Sequence, residues 1–307
     1  MTATLAAPPA EWTLATADAP CYVCQRSDGC RSNDKKIACV WYPRHHLAQS
    51  KTSPDRTNYG LFDWRTFRHV PPIDAAVDLL LRYFFSRTDL VAFKPPWDAS
   101  ACPVDGDDAL HHLLQAHLGG PRIPAPWHTA RKRGQTSQAG RWRIGSYSPA
   151  PDATTRWVVV DFDGGGDHAA PLVHPTAVAL TTYRQFWSAG IPAYLERSRS
   201  GAGWHLWVFF AEPIAAAKAR RMASALLPED ALDTEGNAAT LEVFPKRDDL
   251  NGCRVGNQVW LPWYCEAVKG GNEFYCPRDG RLVPFIPTDF ETAKESKIDD
   301  VLSQEGT

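Results

Sequence analysis

Two aspartates one residue apart, Asp161 and Asp163, close the stretch TRWVVVDFDGGG, where apolar β-formers from Trp157 to Val160 run into a triple glycine. Residues two apart on a strand share a face, so both carboxylates project together from a strand end. Such a pair suits two chemistries. The first Asp can attack phosphorus as a nucleophile, or the two together can hold divalent cations for nucleotidyl transfer. A plainer reading makes them turn and cap residues.

The nucleophilic reading is the weaker. A haloacid-dehalogenase-type phosphohydrolase also needs a downstream Ser or Thr, a Lys and an acidic pair, for which Thr181, Lys246, Asp248 and Asp249 are the nominees. In such enzymes the aspartate strand opens the domain and the lysine comes well before the acidic pair. Here the strand lies mid-chain and Lys246 precedes the pair almost directly.

The metal reading gathers more residues. ERSRSGAGWHLWVFF reads as a strand, a glycine-rich turn and a returning strand. The turn, with Ser200, Gly201 and Gly203, offers backbone N–H groups to phosphate oxygens, Arg197 and Arg199 supply charge, and His205 opens the return strand. In LEVFPKRDD, Glu242 lies between Leu241 and Val243 and projects opposite them, a third carboxylate for the face of Asp161 and Asp163. Two cations need several carboxylate oxygens to offset their charge. The plainer alternatives make His205 a satisfied core histidine and Glu242 a partly exposed strand residue, with Trp204 and Trp207 as packing residues.

The elements that must position these groups are legible in outline. The pattern predicts a helix over 74–86, with Ile73, Val77, Leu80, Leu81 and Phe84 on one stripe, and a second in DDALHHLLQAHLGG stopped by Gly119 and Gly120. Helices also follow in PTAVALTTYRQFWSA, closed by Gly190, and in PIAAAKARRMASALL from Pro213. Strands are expected around Trp142 to Tyr147, at 157–162, and in IPAYLERS, WHLWVFF, ATLEVFPK and NQVWLPW. Strands and helices mix without strict alternation, which favours an α+β fold over a doubly wound parallel one.

Composition bounds the partners. With 307 residues, 44% hydrophobic, 11% aromatic and a net charge of −2, the chain is neither a disordered polyelectrolyte nor broadly basic, so any nucleic-acid site is local. Arg131, Lys132 and Arg133 form one such local run, read equally as a template grip or a solvated loop. No apolar stretch reaches about 18 residues, and no basic start leads into an apolar block, so no membrane partner is expected and the cytoplasm is the default.

The segments HLGG, RIGSY, VVVDFDG, SRSGAGWHLWVFF, EVFPK, GNQVWLP and GGNEFY, in this order, resemble the archaeo-eukaryotic primase superfamily, the primase-polymerases. The resemblance is strongest to primase domains of TOTE-type conflict systems and mobile elements, and more distant to the polymerase domain of bacterial end-joining ligases. It runs from Tyr83 to Phe285. It implies a core of mixed sheets with flanking helices, one half RRM-like. It implies Mg2+ or Mn2+ on Asp161, Asp163 and Glu242, with His205 on the phosphates or sugar of the incoming nucleotide. Lys246, Arg247 and Arg254 become candidates for the triphosphate tail. Many relatives carry Ser-x-His where this chain has Gly203, Trp204 and His205, so the hydroxyl contact is lost or comes from Ser200.

The activity so implied is that of a DNA-dependent primase or primase-polymerase, joining NTPs or dNTPs on a single-stranded DNA template by two-metal nucleotidyl transfer. The alternative is a catalytically silent, zinc-containing nucleic-acid-binding module, against which the intact acids and His205 count. RNA or DNA as product, and a helicase partner, are left open.

Cys21, Cys24, Cys30 and Cys39 crowd near the N-terminus, whereas Cys102, Cys253, Cys265 and Cys276 are scattered. Without an export signal, clustered cysteines point to metal rather than disulfides. Structural zinc would supply the stability that a short polar segment lacks; free thiols, an iron–sulfur cluster, or replacement of one Cys by His45 or His46 are the alternatives. The expected organisation is a flexible tail over 1–20, a zinc module and linker over 21–60, a catalytic domain over 70–290 and a polar C-terminal tail over 291–307 that begins as a polar helix.

Overall fold

The structure is a computed structural model, and its described residues are 13–14, 31–32, 36–39, 60–63, 69–94, 100–124, 139–163, 171–267, 270–278 and 281–304. The chain divides into two units, Met1–Pro72 and Ile73–Thr307.

In the first unit, β1 (Thr13–Leu14), β2 (Arg31–Ser32), β3 (Lys36–Cys39) and β4 (Gly60–Asp63) form one antiparallel sheet in sequence order. The sequence had suggested only a metal module and a linker here, because strands of two to four residues carry no readable alternation. Cys21, Cys24, Cys30, His45 and His46 lie outside the described residues. Of Cys39 only its place at the end of β3, paired with Gly60, is described.

The second unit is α+β. Its larger sheet has six strands in the order β13 (Glu242–Phe244), β10 (Thr154–Phe162), β12 (Trp204–Ala215), β11 (Tyr194–Arg197), β15 (Phe274–Arg278) and β16 (Arg281–Phe285). All its pairings are antiparallel, which agrees with the rejection of a doubly wound fold. A four-stranded antiparallel sheet runs β14 (Asn257–Trp260), β9 (Arg143–Ser148), β5 (Leu90–Lys94) and β6 (Ser100–Pro103). A short ribbon joins β7 (Ile123–Pro124) to β8 (Ala139–Gly140).

Both faces of the larger sheet are covered. Val158, Val160 and Phe162 of β10 and Trp204, Leu206 and Val208 of β12 share a core with α3 (Pro175–Ser188), α4 (Ala216–Ala225) and α5 (Glu295–Gln304). On the opposite face Trp157, Trp207, Phe209 and Phe274 are fully buried, and Phe84, just past α1 (Ile73–Tyr83), stacks edge-on against Trp207 and Phe209. Trp157 is fixed there by an indole N–H donated to the Phe84 carbonyl at 2.9 Å. The remaining helix, α2 (Asp107–His117), buries Leu110, Leu113 and Leu114.

Three expectations needed adjustment. The first helix ends at Tyr83 rather than 86. The helix expected from Pro213 starts at Ala216, because β12 continues through a bulge and re-pairs Ile214 and Ala215 with Thr155 and Thr154. The stretch expected as a polar helix and tail does hold a helix, α5, but its Ile298 and Val301 are buried in the main core, so most of that segment is part of the domain.

Candidate active site

Register assembles the site. Asp161 pairs with Glu242 on one side and with His205 on the other, and His205 pairs in turn with Glu196 on β11. Directly opposed residues point to the same face. Four strands therefore carry one row, Glu242–Asp161–His205–Glu196, at the end of the sheet beyond the aromatic packing of Trp157 and Trp207. Asp163 follows two residues after Asp161, just past the strand end. The sequence motifs thus converge although 81 positions separate Asp161 from Glu242.

Along the row two acids, Glu242 and Asp161, stand side by side, and His205 separates them from the third, Glu196. The His205 Nε2 lies 3.7 Å from Asp161 Oδ1, and its Nδ1 lies 3.0 Å from Glu196 Oε2. Burial by itself would lower the imidazole pKa, but the Glu196 and Asp161 carboxylates outweigh it and hold His205 at about 9. Asp161 is pushed above the ordinary carboxylate range, first by burial; the His205 charge pulls it back, while Asp163, Glu242 and Glu196 push it further up. Crowding of like charges is what a cation at this point would relieve. Among the described residues no three such side chains already meet as an ion site, and Glu242 is drawn instead onto Lys246.

Glu196 was not singled out from the sequence. It is fully buried and accepts three hydrogen bonds: from His205 Nδ1, from Trp207 Nε1 at 2.6 Å and from Asn272 Nδ2 at 2.7 Å. The available signal was a lone carboxylate inside the apolar strand YLER. Trp207, read as a packing residue, both packs and donates to this acid.

The glycine turn is built differently from the expectation. The N–H of Gly201 bonds the Ser198 carbonyl at 2.8 Å, that of Ala202 the Ser200 hydroxyl at 3.3 Å, and that of Gly203 the Ser198 hydroxyl at 3.0 Å. These three amides are spent inside the turn, so they do not form an open phosphate cradle. Arg197 is also structural, its Nε donating to the Gly201 carbonyl at 2.8 Å. Gly201 itself has φ +77°, a conformation that L side chains resist. Arg199 and Ser200 remain exposed.

Behind the turn runs GGNEFY. The N–H of Arg197 bonds the Glu273 carbonyl at 2.9 Å, and that of Asn272 bonds the Arg197 carbonyl at 2.7 Å. A side chain on Gly271 would lie 2.4 Å from the Arg199 carbonyl oxygen, which explains a glycine there. Asn272 adopts φ +55°, which Asn tolerates, and its side chain caps Glu196.

The basic candidates scatter. Lys246 stays in the row through Glu242, and Arg247 donates to the exposed Cys253 thiol at 3.2 Å. Arg254 lies near Asp89 and Tyr147, at the opposite end of β9 from Arg143. Arg131, Lys132 and Arg133 lie outside the described residues. Of the phosphohydrolase nominees only Lys246 comes near Asp161, through Glu242, whereas Thr181 is exposed on α3 and Asp248 pairs with Arg220 of α4. A basic residue not expected from the sequence is Arg143, whose guanidinium sits 4.1 Å over the Trp260 ring. Burial and then the nearby charge of Arg199 hold its pKa down to about 10. The smaller sheet and the turn of the larger one therefore present two mutually repelling cations to one region.

An antiparallel sheet with helices on its faces and an acidic, histidine-bearing row at one end defines a mixed α+β domain built to handle charge at a strand end. The model of the archaeo-eukaryotic primase domain of TOTE conflict systems matches residues 116–285, and the chain belongs to that family. Comparison with curated proteins finds no match. At family level the domain brings primase-like nucleotidyl transfer. No helix among the described residues is long and apolar enough to cross a membrane.

Proposed function

We propose that this chain is a DNA-dependent primase or primase-polymerase that joins NTPs or dNTPs on a single-stranded DNA template with release of pyrophosphate. The observation that carries the reading is the register that sets Glu242, Asp161 and His205 side by side on adjacent strands. Asp161, Asp163 and Glu242 would hold Mg2+ or Mn2+, with Glu242 exchanging Lys246 for the ion. Bound there, the cations would supply charge for a 3′-hydroxyl and for the departing pyrophosphate.

The chain's own groups then divide the work. His205, in the row beside Asp161 and next to the glycine turn, would contact the nucleotide's phosphates or sugar. With the turn's amides occupied, phosphate recognition falls to cationic side chains, and Arg199 with Arg143, close enough for their charges to interact, is the favoured pair. Lys246, released by Glu242, would join them. The cysteine cluster, as a zinc module, would steady the N-terminal unit and bind template.

The test is primer synthesis on unprimed single-stranded DNA with labelled ribo- or deoxynucleotides and Mg2+ or Mn2+. Template-dependent products are expected. Binding of the DNA without synthesis under any of these conditions would favour the silent binding module.

A further inference from the structure

We infer that Glu196 is a positioning residue that fixes the His205 ring, so that Nδ1 is turned into the protein and Nε2 toward Asp161, 3.7 Å away, on the side proposed for the nucleotide; this rests on the nucleotide-contacting role proposed for His205. Glu196 lies in the row but cannot reach a substrate. Its side chain is wholly enclosed, and its Oε2 takes both the His205 Nδ1 hydrogen bond at 3.0 Å and the Trp207 indole N–H at 2.6 Å. Its Oε1 takes the Asn272 amide at 2.7 Å. Held at both oxygens by an indole and an amide from two other segments, the carboxylate cannot swing to follow the imidazole. It therefore dictates the ring's orientation.

Stability alone does not account for an acid at this position. Its neighbours on this sheet face, Trp207 and Phe274, are fully buried aromatics, and an apolar residue of similar size would fill the space without desolvating a charge. The surrounding construction is also specific to the carboxylate. Asn272 is buried in a left-handed conformation and aims its amide at Glu196, while its own Oδ1 finds no partner. At metal-ligating histidines, buried partners of this kind orient the imidazole by holding the nitrogen that faces away from the metal, and their loss costs about 10–100-fold in metal affinity or activity; a loss of the same order is expected for an imidazole that must be aimed at a substrate.

The experiment compares Glu196→Leu, Glu196→Gln and His205→Ala, and the double variant Glu196→Leu/His205→Ala, in single-nucleotide extension of a primed template, with kcat and KM for the nucleotide determined separately. The expected result is a roughly 10–100-fold fall in kcat/KM for Glu196→Leu, with most of it restored by Glu196→Gln, which keeps an acceptor for Nδ1. In the His205→Ala background the Leu substitution should have almost no further kinetic effect. Equal losses in both backgrounds, or normal kinetics for Glu196→Leu beside an impaired His205→Ala, would overturn the inference and leave the proposed function standing. Normal extension by His205→Ala would instead sink the role proposed for His205. A readout independent of activity is the downfield proton resonance of a carboxylate-bonded Nδ1–H. It should be present in the unaltered protein and lost in both His205→Ala and Glu196→Leu; its persistence in Glu196→Leu also refutes the assignment.

Discussion

His205 Nδ1 and Glu196 Oε2 meet at 3.0 Å inside the sheet, where Glu196 has no exposure to solvent. Truncating His205 therefore leaves a buried carboxylate with only the Trp207 and Asn272 donors, as well as removing a nucleotide contact. We expect His205→Ala to lower both catalytic efficiency and stability, the latter by about 3–5 kcal/mol. Adding Glu196→Leu should return part of that stability without returning activity. Denaturant midpoints and extension kinetics on the same preparations check this, and a stability loss that the second change leaves untouched would contradict it.

Asp161 carries the opposite signature. Burial and its acidic neighbours raise its pKa, so its ionised form is less favoured in the folded protein than in the unfolded chain. Asp161→Asn should leave the melting temperature at neutral pH unchanged or higher, as at other sites where function is held against stability. Asp161→Ala with Asp163→Ala should abolish incorporation while template binding survives, which electrophoretic shift and extension assays on the double variant would show.

His117 predicts a pH dependence. Its Nδ1 accepts the Ile144 N–H at 3.0 Å and its Nε2 donates to the Pro262 carbonyl at 2.9 Å. Burial holds its pKa down to about 4, against an ordinary 6.5. Between these values the unfolded chain binds the extra proton and the folded protein does not. The contribution is thus fully present above pH 6.5 and is lost as pH falls toward 4, amounting to about 3 kcal/mol. Denaturation midpoints across this window should slope less in His117→Gln.

Gly271→Ala places a Cβ 2.4 Å from the Arg199 carbonyl and 3.0 Å from that of Ser198. Both obstacles are backbone, so the hairpin must shift. A loss of about 1–3 kcal/mol is expected, together with weaker nucleotide use, read as a lowered melting temperature and a raised KM.

For the N-terminal cysteines, elemental analysis of natively purified protein should find about one zinc per chain, absent after Cys21→Ser with Cys24→Ser. Neither zinc nor iron in the unaltered protein would dispose of the metal site.

The sequence by itself determined the local parts: the strand that delivers Asp161 and Asp163, the turn before His205, the strand around Glu242 and the amphipathic α1 and α3. Each is written in a short-range period of apolar residues or in the punctuation of glycine and proline, which act within a few residues. The order of the motifs was enough for the family. Tertiary structure alone decided what lies beside what. The lateral row from Glu242 to Glu196 exists because β13, β10, β12 and β11 pair in one register, and a slip of one residue in any ladder would send its member to the opposite face. No local pattern encodes that choice, which arises from hydrogen-bond ladders and packing between distant segments. For the same reason Glu196 read as an unremarked strand residue, the turn's amides as open donors and the C-terminal helix as polar and outside the core. Their roles depend on the groups that folding brings against them: His205 and Asn272 on the acid, Ser198 and Ser200 within the turn, and the sheet core beneath Ile298 and Val301.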